Sequence, residues 1–157
     1  MKKVLFCILT CFSLLLCGCD FFADDEIIKS LGECKSKELY THGGFQDYTD
    51  YSIYKFEGLN LSDNEYFKNI NTEAIGVISG CIENFESIVG SMPENDNLKK
   101  NYCFDINIIS ENDYYYISEN SQNEIYSVYL IDTETETLYY FHNNIWNRTW
   151  KYTVNNV

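Results

Sequence analysis

Asn71-Thr72-Glu73-Ala74-Ile75-Gly76-Val77-Ile78-Ser79-Gly80-Cys81-Ile82-Glu83-Asn84-Phe85-Glu86-Ser87-Ile88-Val89-Gly90 carries the one strong helical repeat of this chain. With the residues on either side, Ile70, Ala74, Val77, Ile78, Cys81, Phe85, Ile88, Val89 and Met92 return at steps of three and four, the spacing of one helix face. Asn71 or Thr72 can cap the start, Glu73 suits the first turn, and Gly90 followed by Pro93 closes the run. Gly76 and Gly80 stand four apart, as in closely packed membrane helices, but Glu73, Glu83 and Glu86 exclude a membrane span. The expectation is a helix over 71–90 whose glycines let it press on a sheet.

Outward from that helix the patterns change to strands. Beyond a polar connector from Pro93 to Lys100, strands are predicted at Tyr102–Ile109, Tyr114–Ser118, Glu124–Asp132 and Thr137–His142, with a further one near Trp150–Val154. Asp132-Thr133-Glu134-Thr135-Glu136 has the side chains that favour a turn by bonding their own backbone. On the amino-terminal side, Lys35–Thr41 and Asp50–Glu57 flank His42-Gly43-Gly44-Phe45 and predict a hairpin with a loose loop. Asp24-Asp25-Glu26 followed by Ile27, Ile28, Leu31 and Gly32 predicts a short helix over 24–31. The fold class is therefore α+β: an antiparallel sheet of five to six strands, the main helix across one face, and the short helix at its edge.

The chain starts differently. Met1-Lys2-Lys3 precede thirteen residues, Val4 to Leu16, that are apolar or small apart from Thr10 and Ser13, the layout of a secretory signal peptide. The run is shorter than the ~20 residues of a spanning helix. Leu16-Cys17-Gly18-Cys19 resembles the lipobox of bacterial lipoprotein precursors. That resemblance implies cleavage after residue 18, a diacylglycerol thioether on Cys19, a tether over 19–23 and one α+β domain over 24–157. It also implies a lipid-anchored protein on the extracytoplasmic face of a cell membrane. Asp20 resembles the inner-membrane retention signal of double-membrane bacteria; in a single-membrane cell the same anchor sits on the outer leaflet.

Composition narrows the partners. Losing residues 1–18 takes away Lys2 and Lys3, which leaves nine basic residues against 24 acidic ones and a balance of −15. Such a chain is not expected to bind nucleic acid or an anionic lipid surface by charge. Attachment to a membrane falls to the lipid, at about 0.8 kcal/mol per buried methylene. Acidity keeps a protein soluble and also suits a cationic partner. An aromatic share of 17%, mostly Tyr, argues for a folded, strand-rich body.

Of seven cysteines, Cys7, Cys11 and Cys17 leave with the leader and Cys19 is spent on lipid, so Cys34, Cys81 and Cys103 remain. Cys81 lies on the apolar stripe of the predicted helix and behaves as a small hydrophobe. Cys34 and Cys103, each at the start of a predicted strand, are the pair if a disulfide forms. No spacing among them suits zinc, and no metal or cofactor is expected.

His42 beside two glycines is the leading candidate for a functional imidazole, since histidine as a residue type titrates near neutral pH and glycine lets a ligand approach. No second His, Cys or carboxylate stands at a recognisable catalytic distance along the sequence, and a cap on the turn is the plainer role. His142 reads as structural. Asp132, Glu134 and Glu136 alternate as calcium ligands do but lack the glycine and closing glutamate of a calcium loop. Tyr114-Tyr115-Tyr116 with Trp146 and Trp150 suggests an aromatic contact face, represented by Tyr115 and Trp146. No phosphate loop or nucleophile elbow occurs.

Tyr40-Thr41-His42-Gly43-Gly44-Phe45 and Asp132-Thr133-Glu134-Thr135-Glu136-Thr137-Leu138-Tyr139-Tyr140-Phe141 are similar to segments of small uncharacterised bacterial lipoproteins. That resemblance supports two hairpins and implies no activity. The expected function is a non-catalytic binding module acting on a cationic protein, one version being an inhibitor or immunity protein for a cationic hydrolase. The alternative is a small-ligand binder or enzyme with a pocket near His42.

Overall fold

A computed structural model describes residues 25–44, 48–120 and 125–144, with the side chains of 119, 120, 125 and 126 left aside. The chain divides into two compact units, Met1–Ser30 and Leu31–Val157. In the first, helix α1 (Glu26–Lys29) is a single turn capped by Asp25, whose carboxylate accepts the Ile27 N–H at 3.0 Å. The leader, Cys19 and the 19–23 tether lie outside the described residues, as does the strand expected near Trp150–Val154.

The second unit is built on six strands: β1 (Cys34–Gly43), β2 (Tyr48–Phe56), β3 (Lys68–Asn69), β4 (Tyr114–Asn120), β5 (Ile125–Asp132) and β6 (Thr137–Asn144). They form one sheet in the order β1-β2-β6-β5-β4-β3, and every neighbouring pair is antiparallel. Helix α2 (Thr72–Ser91) supplies the second layer, so the architecture is α+β as the sequence predicts. Both predicted hairpins form, β1–β2 and β5–β6.

Asn71 caps α2 by accepting the Ala74 N–H at 2.8 Å. The buried stripe runs through Ala74, Ile78, Ile82, Phe85 and Val89 to Met92. Burial of each large side chain stabilises the fold by roughly 1.5–3 kcal/mol. This stripe is one step round from the expected one: Ile82 is at its centre, whereas Val77 is 55% exposed on the flank. The two glycines also depart from expectation. A Cβ on Gly76 or Gly80 would meet no atom within 4 Å, so neither brings α2 closer to the sheet.

Under α2 the sheet presents cross-strand rows. Tyr40, Tyr51, Phe141, Val128 and Ile117 form one, and Ile53, Tyr139, Leu130 and Tyr115 the next. Phe141 is fully buried and touches the rings of Tyr51, Phe85 and Phe104 at 5.0–5.4 Å between centroids. The contacts with Phe85 and Phe104 are edge-on, an arrangement that adds to simple burial.

The strand predicted over Tyr102–Ile109 does not form. The chain there makes a 3-10 turn at Ile106–Ile108, and helix α3 (Asn97–Asn101) forms just ahead of it, where a polar connector is expected. Asp96 caps α3 and Asp105 caps the turn, so side-chain bonds to nearby N–H groups win over strand propensity. Lys99 reaches back from α3 to accept-only groups at the end of α2, donating to the carbonyls of Gly90 (3.1 Å) and Met92 (3.0 Å) and to Glu94 (2.6 Å). The last carbonyls of α2 thus receive a cation, the favourable sign at a helix C-terminus.

Candidate functional site

His42 and Asp96 meet. The β1–β2 hairpin places His42 one row beyond Tyr40 on the helix-bearing face, opposite Thr49, and Gly43 turns the chain there at φ +104°. Asp96 arrives from the cap of α3, 54 residues away, and its Oδ2 stands 2.6 Å from His42 Nδ1. Its other oxygen accepts the Leu98 N–H (2.8 Å) and the Lys99 N–H (3.2 Å). The His42 bond, helped by these N–H groups against partial burial, holds the Asp96 carboxyl below the usual carboxylate range. With Asp96 ionised, Nδ1 is the donor of this bond, and in the neutral form of the ring that tautomer leaves Nε2 as an acceptor. The His42 side chain is 38% exposed and the Asp96 side chain 15%. Beside them, Thr49 Oγ1 donates to Asn143 Oδ1 at 3.1 Å in the same buried row.

The opposite face carries a second polar group. Antiparallel register aligns Thr41, Asp50, His142, Ser127 and Ser118 across β1, β2, β6, β5 and β4. The adjoining row is Leu39, Ser52, Tyr140, Tyr129 and Tyr116. Ser127 Oγ and His142 Nδ1 share a hydrogen bond of 2.7 Å. His142 lies between the rings of Tyr48 (5.1 Å) and Tyr140 (6.0 Å). Ring contacts continue from Tyr140 to Tyr129 (4.8 Å), Tyr116 (5.7 Å) and Tyr66 (5.8 Å).

Two oxygens on this floor have no hydrogen-bond partner: Asp50 Oδ1 and Ser52 Oγ, both buried, with Ser52 1% exposed. Burial pushes the Asp50 carboxyl up, and the Thr41 hydroxyl and the Lys37 charge offset only part of that. The same face already holds one cation, with Lys37 Nζ 5.0 Å from the centre of the Tyr54 ring.

The other predicted residues fare differently. Tyr115 is partly buried against the core under α2, while Tyr114 and Tyr116 point the other way, so the tyrosine triplet is split between two faces and forms no single contact surface. Trp146 lies outside the described residues. Among the described residues, Cys34, Cys81 and Cys103 form no disulfide. The proposed Cys34–Cys103 bridge does not form, and the sheet shows why. Cys103 raises the Tyr51 hydroxyl's pKa along with burial, the main cause, so it lies by the Tyr40–Tyr51 row, whereas Cys34 pairs with Phe56 at the far end of β1. Six residues of strand are about 20 Å, against the ~5.5 Å between Cα atoms that a disulfide requires.

The acidic turn is likewise occupied by its own backbone. Asp132 accepts the N–H groups of Glu134 and Thr135 and the Thr135 hydroxyl. Glu136, at φ +50°, receives the Gly58 and Leu59 N–H groups at 3.1–3.3 Å. Among the described residues no three His, Cys, Asp or Glu side chains converge as metal ligands.

Sequence reasoning missed Asp96 and the Asp50–His142–Ser127 row. The first had a local signal, an Asp two residues ahead of Leu98 at a helix start. The second depends on strand register. No family model, curated protein or solved structure matches this chain.

Proposed function

We propose that this chain is a lipid-anchored, extracytoplasmic, non-catalytic binding module that holds a cationic protein on the face of its sheet opposite α2. The lipobox-like Leu16-Cys17-Gly18-Cys19 supports anchoring through Cys19. The observation that carries the binding reading is the face opposite α2, a ladder of tyrosine rings interrupted by polar groups that include a carboxylate oxygen with no partner. Tyrosine supplies large contact area at small entropic cost, and the acid balance of the chain repels anionic partners and steers cationic ones. Neutralising a cationic hydrolase is one form such binding takes.

Retention from a native envelope extract tests this directly. The full chain retains a basic protein at low salt and releases it at high salt, and a Tyr140→Ala chain of unchanged melting temperature retains it several-fold less. Equal retention by both chains removes the face opposite α2 from the interaction. For the anchor, Cys19→Ser moves the protein from the membrane to the soluble fraction; a variant that stays membrane-bound contradicts lipid attachment at Cys19.

A second reading rests on the 2.6 Å His42–Asp96 pair, which presents Nε2 as a proton acceptor for a small ligand. His42→Gln leaves retention of the basic protein unchanged on the first reading. Loss of retention in that variant with wild-type stability shifts the site to His42.

A further inference from the structure

We infer that Asp50 Oδ1 and Ser52 Oγ form the receptor for one primary ammonium group, the end of a lysine side chain of the bound protein. This rests on the binding reading above and places its polar anchor. Both oxygens belong to β2, two residues apart and so on the same face of the sheet, with Cα atoms roughly 7 Å apart. They are the two buried side-chain oxygens of this face that lack a hydrogen-bond partner among the described residues. Ser52 is small between larger neighbours, with Leu39 and Tyr140 across the strands and Tyr54 next along its own, and it is 1% exposed among them.

An ammonium carries three donors and no acceptor. Two of them satisfy Asp50 Oδ1 and Ser52 Oγ, and the charge compensates a carboxylate that burial makes costly to ionise. The walls suit the same occupant. Tyr48 and Tyr140 flank the Asp50–His142 position, and tyrosine faces attract cations and pack against methylenes. Lys37 over Tyr54 is the intramolecular form of this contact on the same face. A lysine suits two closely covered oxygens better than an arginine does, because its stem is slim and its head compact, whereas a guanidinium is a broad planar fork.

The test uses fluorescently labelled oligolysine, oligoarginine of equal length, and spermine, each titrated into the full chain at low salt. The labelled oligolysine binds, oligoarginine binds more weakly, and spermine, whose two ends are primary ammonium groups on slim methylene stems, competes with oligolysine. Asp50→Asn and Ser52→Ala each weaken oligolysine, the former by about tenfold or more. Glu83→Gln removes the same charge from the outer face of α2 and changes affinity less than about twofold, the effect of a screened surface charge. Melting curves confirm that each variant is folded. If Asp50→Asn and Glu83→Gln weaken oligolysine equally, attraction is diffuse and this receptor is wrong while the binding reading stands. Equal affinity for lysine and arginine probes also overturns it. Failure of any cationic probe to bind sinks both readings.

Discussion

Asp96 serves three donors at once, two N–H groups of α3 and the ring of His42. Removing it by Asp96→Ala therefore uncaps a helix and unties the hairpin tip together. The expected loss is about 1–2 kcal/mol at neutral pH, measured by denaturant unfolding. The acid dependence follows from the direction of its shift. Because the folded protein holds this carboxyl below the ordinary value of about 3.9, the contribution is complete above that pH and is lost as pH falls through the lower folded value. The stability gap between the parent chain and Asp96→Ala thus narrows below about pH 4. Asp113 does comparable work at the other end of the sheet, accepting four bonds from the backbones and hydroxyls of Ser110 and Thr133. Both aspartates stood in polar connectors whose fold looked unspecified from the sequence. Their signals were local, an acid two or three residues from an N–H that needs an acceptor.

At the scale of elements, α2 and the two hairpins were legible because their information is local: a period of three and four, or alternation on either side of a turn. Orientation was less so. Val77 and Ile82 both fit an apolar stripe, and only the tilt of the helix on the sheet decides that one is exposed and the other buried. Gly76 shows the consequence, being a helix-interior glycine with open space around it. Gly76→Ala is expected to stabilise the protein by about 0.5–1 kcal/mol, since alanine gains helix propensity and meets no neighbour. A drop in melting temperature instead means that a surface closes over that position. Ser127 opposite His142 was legible in principle, because the Asp132–Thr137 pairing fixes every partner along β5 and β6. Asp50 opposite His142 was not, since β2 and β6 are about ninety residues apart and nothing between them records their register.

Across the whole molecule, strand order sets the order of local opening. β5 and β6 each have strands on both sides, whereas β1 and the two-residue β3 are edges. Hydrogen exchange is expected to protect the amides of Val128–Ile131 and Leu138–Phe141 longest and those of β3 and the outer side of β1 least. Lys35 and Lys37 on β1 fit the charged residues that natural sheets keep on an exposed edge, where they discourage pairing with another chain. The centre of the sheet is also the last part of it to be made. β2 finds its second neighbour only when β6 exists, a closure seen in the 2.6 Å bond from Lys55 to Thr137, 82 residues later. A chain threaded amino end first through a ribosome or a membrane pore therefore has a free hairpin and a helix without its platform until residue 144 has passed. Such a protein stays pliant for the whole of its passage and becomes rigid only on arrival, with its carboxyl-terminal hairpin as the keystone.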